Sequence, residues 1–152
     1  MAALAVVWLG VHRGPALSEE SLIQEANRQF AQRADLPSHA LAEHPAPAGY
    51  PVDGQLRPGL PTRWRWVGDF LGYSAVAYDL VGPDQTQATL YVLRANTTGL
   101  PALPATEPES SAATGQCSVS AWQSAGRVYV LIVDGGRSRY QQFLDLPRAP
   151  LT

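Results

Sequence analysis

No lysine occurs anywhere in the 152 residues, and all eleven basic side chains are arginine. That excludes a Walker-type phosphate loop, a Schiff-base enzyme and a pyridoxal site, each of which turns on a lysine amine. Cysteine is nearly as scarce. Cys117 stands alone, so the chain can form no internal disulfide framework and no Cys-rich zinc or iron–sulfur site. Charge of either sign is thin. Eleven basic and thirteen acidic residues give a net charge of −2, without the strongly basic face of a non-specific nucleic-acid binder. A full-length apolar span is also missing. The opening MAALAVVWLGV, Met1 to Val11, is uncharged but only eleven residues long, and a helix that crosses a bilayer needs roughly 20.

Gly and Pro are abundant: thirteen of each make up about 17% of the chain, against roughly 12% in ordinary proteins. With 45% apolar residues, a domain of this length can bury about two-thirds of its unfolded surface and needs no metal to fold. The apolar opening ends at His12-Arg13-Gly14-Pro15, where Gly-Pro stops a helix. It carries no positive charge ahead of it, unlike a secretory signal. Trp8 near its end suits the membrane interface. Residues 1–13 therefore read as the outer part of a membrane anchor, with a peripheral or core segment of a soluble protein as the alternative, and 14–35 as a juxtamembrane helix segment.

Within that segment the spacing predicts a helix over 18–34. Ser18 is placed to cap it, and Glu19 and Glu20 sit in the first turn, where carboxylates suit the helix dipole. Leu22, Ala26 and Phe30 recur every four residues, with Ile23 widening the stripe. Pro37 ends the run. Residues 36–62 hold six prolines and read as an extended crossing segment lying against the folded body.

Strand signals follow. Trp64 to Phe70 opens the series. Tyr73 to Leu80 sets Tyr73, Ala75, Ala77 and Asp79 on one face, with Ser74, Val76, Tyr78 and Leu80 on the other. Gln87 to Arg94 alternates Ala88, Leu90 and Val92 against Thr89, Tyr91 and Leu93. Residues 95–115 break the pattern and predict a long, polar, mobile loop. Cys117 to Trp122 alternates again, Ala125-Gly126 makes a hairpin turn, and Arg127 to Asp134 is the most continuously apolar strand and so the central one. Tyr140 to Leu144 is a last short strand or helical turn. The β domain spans 36–146, and 147–152 is a tail. The fold class is α+β: an N-terminal helix packed near an antiparallel β-meander of about five to six strands.

Few residues carry a pattern for chemistry. Cys117 shares a strand face with Val119 and Ala121, as a buried structural thiol would. His39 and His44, with Glu43 between them, lack the spacing that places two ligands on one helix face, so no metal is assigned. Asp84 and Asp134 stand at turns, where Asp bonds local backbone; Asp69 and Asp79 are the other carboxylates of the sheet region. Arg63, Arg65 and Arg127 read as solvated edge arginines, with binding of an anion or a headgroup as the alternative. No nucleophile–base pair, phosphate loop or cofactor motif is visible, and no enzyme activity, cofactor or nucleic-acid partner is expected. The strands are rich in aromatics, and the candidate partner or ligand surface is Trp64, Trp66, Tyr78, Trp122 and Tyr129.

The phrase running Trp66-Val67-Gly68-Asp69-Phe70-Leu71-Gly72-Tyr73 into Ser74-Ala75-Val76-Ala77-Tyr78-Asp79-Leu80, then Ala88 to Leu93, resembles the extracytoplasmic domain of bacterial membrane-anchored anti-sigma-factor-like proteins. Gly115, Val119, Trp122, Gly126 and Tyr129 to Val133 extend the likeness, which covers about 1–145. The resemblance implies a non-catalytic sensor or scaffold domain outside the cytoplasm, held by a single membrane span and acting through protein contacts. The sigma-binding half of such proteins is a cytoplasmic helical domain, often with His and Cys on zinc. These 152 residues contain no counterpart of it, so a sigma-factor system would be engaged only through a cytoplasmic half outside them. A small-ligand-binding envelope domain with an aromatic-lined pocket is the alternative.

Overall fold

In a computed structural model the chain is described over residues 17–52, 56–57, 60–94, 103–104, 112–114 and 116–144. The expected anchor segment 1–13, the tail 147–152 and most of the 95–115 loop lie outside these residues. Helix α1 spans Glu19–Gln32 and runs into a single 3₁₀ turn, Arg33–Asp35. Seven strands follow in chain order: β1 His39–Ala40, β2 Pro61–Phe70, β3 Tyr73–Val81, β4 Gln87–Leu93, β5 Ala112–Thr114, β6 Cys117–Ser124 and β7 Arg127–Asp134. A short helix, α2, spans Arg137–Gln141. The α+β expectation holds, with two short strands added at the sheet edges. One of them, β5, falls inside the stretch read from sequence as loop.

All neighbouring strands are antiparallel, in the order β1-β2-β3-β4-β7-β6-β5. Two meanders are thus joined side by side: β2-β3-β4, and β5-β6-β7 folded back so that β7 pairs with β4. The tight turns explain why the hairpins sit where they do. Leu71 and Gly72 (φ 56° and 84°) and Ala125 and Gly126 (φ 50° and 75°) both take the left-handed pair of a two-residue hairpin turn, whose twist matches that of the strands. Asp69 secures the first of these by accepting a 2.7 Å bond from the Gly72 amide.

α1 begins as predicted. Ser18 and Ser21 cap each other's backbone N–H groups reciprocally, at 3.1 and 2.9 Å. Its stripe of Leu22, Ile23, Ala26 and Phe30 is buried and lies across β6 and β7. There it meets Val119, Ala121, Val128, Val130 and Ile132, with Tyr91 and Leu93 of β4 in the same core. Fully burying a side chain such as Leu22 or Phe30 contributes about 1.5–3 kcal/mol, so the helix is held by packing more than by its own propensity.

The opposite sheet face is equally dry. Val76, Tyr78, Leu80, Leu90, Val92, Trp122, Tyr129, Leu131 and Val133 form a second core. The proline-rich crossing covers it with Tyr50 and Leu56, and the C-terminal stretch with Tyr140, Phe143 and Leu144. Backbone ties fix this cover. Leu56 bridges Leu144, and the Arg57 amide donates to the Phe143 carbonyl at 3.2 Å. The Arg127 guanidinium donates to the Gly49 carbonyl at 2.9 Å. The molecule is therefore three layers, helix, sheet and crossing, and this is why β4 and β7 are apolar on both faces.

Candidate functional site

The five aromatic residues singled out from sequence separate in the structure. Trp122 and Tyr129 face each other across β6 and β7, stacked with ring centroids 5.5 Å apart and planes 13° apart, and both are buried. Tyr78 is buried and its hydroxyl donates to the Tyr50 carbonyl. Burial, with Tyr129 nearby, raises its pKa, which keeps it a donor. Trp64 is buried, and its indole N–H donates to the His44 carbonyl at 2.9 Å. Tyr78 and Trp64 tie the crossing segment to the sheet, and Trp122 and Tyr129 lie in the same buried core. They do not form a surface, which corrects that part of the sequence reading. The physical reason is that a segment distant in sequence covers their face.

Trp66 is the exception, at 54% exposed. It stands edge-on to Tyr50 at 5.4 Å and to Trp64 at 6.1 Å, and His39 lies 4.7 Å from Trp64. Trp66 also marks an opening in the sheet edge. β1 pairs with β2 only at Arg63 and Trp64. The Leu41 amide donates to the Thr62 carbonyl, so even-numbered residues of β2 turn their backbone groups toward this edge. Trp66 continues that series beyond β1, and no described strand pairs with it on that side.

The helix-side face holds a polar cluster that the sequence reading missed. Arg65 is not a solvated edge arginine, since only 2% of it is exposed. Alternation along β2 turns it inward beside Val67, and one guanidinium nitrogen donates to both oxygens of Asp79, at 2.5 and 2.6 Å. Thr89 adds a 3.0 Å bond to the same carboxylate. Among the described residues, the remaining Arg65 nitrogens, Nε and Nη2, and the Tyr91 hydroxyl are buried without a hydrogen bond of ordinary geometry, and Arg65 and Tyr91 lie beside each other. Burial pushes the Tyr91 pKa far up, and the neighbouring Arg65 charge opposes this only in part. The pairing register brings them together: Arg65 falls opposite Ala77, and Asp79 is two pairs along, the next residue on the same face of β3.

Asp79 also lines an open groove of about 360 Å³, between the 3₁₀ turn and strands β2, β3 and β4. Arg33, Ser38, Thr62, Arg63 and Gln87 share that lining. The other sequence candidates do not converge. His39 and His44 touch edge to face at 5.4 Å, and no group of three metal-ligating side chains occurs among the described residues. Asp84 accepts from the Thr86 amide at 3.2 Å, as a turn residue does. Arg127 is spent on the Gly49 and Ala125 carbonyls.

Cys117 is half-buried at the β6 end, and burial first, then the Asp134 carboxylate, raises its pKa. A thiol held protonated reacts slowly. Native protein should therefore titrate with an aromatic disulfide reagent at pH 8 more slowly than protein unfolded in guanidinium, where the burial is absent. Equal rates would mean an activated thiol. Comparison of the chain with family models, with curated proteins and with solved structures found no match.

Proposed function

We propose that this chain is a non-catalytic contact domain, the extracytoplasmic sensor or scaffold part of a membrane-tethered, anti-sigma-factor-like regulator. The observation that carries the contact role is Trp66, a large aromatic side chain open to solvent on the part of β2 beyond β1, where no described strand pairs on that side. An exposed strand edge beside an aromatic anchor suits an extended segment of another protein, which gains main-chain bonds from the edge and burial from the ring. The regulator assignment and the placement outside the cytoplasm rest on the sequence resemblance and on the apolar opening. Among the described residues no helix is long and apolar enough to cross a membrane.

Photo-crosslinking in cells tests the contact role. A crosslinking amino acid placed at position 66 of the intact protein should yield a discrete adduct with one protein. The same amino acid at exposed Gln24 on α1 should not. Indistinguishable adducts at the two positions would remove Trp66 as a contact. Trp66→Ala should lower folding stability by about 1 kcal/mol or less, the scale of a half-exposed site, while eliminating the captured complex. Deleting residues 36–146 from the intact protein should change transcription from the promoters of the cognate sigma factor. Unchanged transcription would remove the regulator assignment and leave the contact role standing.

A further inference from the structure

We infer that the groove between the 3₁₀ turn and strands β2 to β4 binds a small molecule carrying a phosphate monoester. This site is independent of the Trp66 edge and of the protein contact proposed there. Charge is the first argument. Arg33, Arg63 and Asp79 line the groove, and Arg65, which is not part of the lining, is paired to Asp79. With Arg65 set against Asp79, the two lining guanidiniums are left as positive charges in excess, on a chain whose net charge is −2. Asp79 does not cancel the two outer cations, because both its oxygens are taken by Arg65. Neither Arg33 nor Arg63 has a carboxylate partner among the described residues. A phosphate monoester, at about −1.5 to −2 near neutral pH, matches that excess.

The second argument is positioning. The Arg63 side chain donates Nε to the Ser38 hydroxyl oxygen at 2.7 Å and Nη2 to the Ser38 carbonyl at 2.8 Å. Arg33 donates Nη1 to the Phe30 carbonyl at 2.7 Å, and its guanidinium sits 3.6 Å from the Phe30 ring centroid. Each cation is therefore held in place by uncharged partners and keeps N–H groups free for a ligand. Arginines fixed this way lose little freedom on binding. The Ser38 hydroxyl accepts from Arg63 and retains its own proton to donate, and Gln87 closes the far side. The third argument is Arg65 itself, a buried cation whose contact with Asp79 offsets the one carboxylate that lines the groove. A volume of about 360 Å³ is at the small end of ligand pockets.

The test is titration of the isotope-labelled protein with inorganic phosphate, then with phenyl phosphate, followed by amide and arginine Nε resonances at constant ionic strength held with chloride. Saturable shifts at Arg33, Ser38, Arg63 and Gln87 are expected with both probes. Arg63→Gln should weaken binding at least tenfold, whereas Arg28→Gln on the exposed side of α1 should leave it unchanged. The melting temperature of each variant shows that it is folded, and Arg33→Gln provides a second reading should Arg63→Gln unfold. Linear shifts equal to those given by chloride, or saturation that survives both substitutions, would overturn the assignment.

Discussion

Asp79→Ala should destabilise the fold by about 3 kcal/mol, the lower part of the range for removing one partner of a buried ion pair. The reason is the state of the residue left behind. The Arg65 side chain is 3% exposed and that of Asp79 is 25% exposed. Without the carboxylate, Arg65 keeps a full charge that cannot leave the protein interior or give up its proton. Thr89 loses its acceptor at the same time. The pair itself is a weaker source of stability than the penalty for breaking it, because both groups were desolvated to form it. Replacing both, as Arg65→Met with Asp79→Val, should therefore recover most of the loss. Urea unfolding of the single and double variants measures both quantities. A single-variant loss below about 1 kcal/mol would mean that the guanidinium finds water, and that the cluster is more open than its burial indicates.

Trp122→Ala is expected to cost about 3–5 kcal/mol, the range for deleting a fully buried large aromatic. Trp122 is 0% exposed and lies in the second core beneath the crossing segment. Its stacking on Tyr129 across β6 and β7 adds about 0.5–1.5 kcal/mol beyond area burial. For a chain of this size the loss should lower the melting temperature by about 10 °C. Trp122→Phe keeps an aromatic ring over Tyr129 and should lose less than half as much. Circular dichroism melts of the two variants would check this order. A melting temperature unchanged by the alanine substitution would place Trp122 at a surface, as the sequence reading had it, and would reopen the aromatic residues as a binding site.

The contrast between Trp66 and its neighbours shows how far local pattern reaches. Trp64 and Trp66 are two residues apart in one strand and share a face, so sequence treats them alike. The structure buries the first under His44 and the crossing and leaves the second exposed. Arg65 between them shows the same limit. An arginine flanked by tryptophans on an early strand reads as an edge cation. Its burial depends on Asp79, which is fourteen residues away, and on the helix layer that closes the same face.

The sequence by itself determined the helix, its cap, the main strands and hairpin turns, and the partition of strand residues between two faces. Each of these follows from interactions between residues close along the chain: a serine hydroxyl reaching the first turn, a period of two in a pleated strand, or a glycine that accepts positive φ. Tertiary structure alone decided that β7 returns to pair with β4, that the crossing segment covers the face holding four of the five chosen aromatics, and that Arg33, Arg63 and Asp79 meet at one groove with Arg65 paired to Asp79. Those outcomes depend on which distant segments exclude water together. Burial of that kind is a property of the assembled layers and leaves no periodic trace in any one of them.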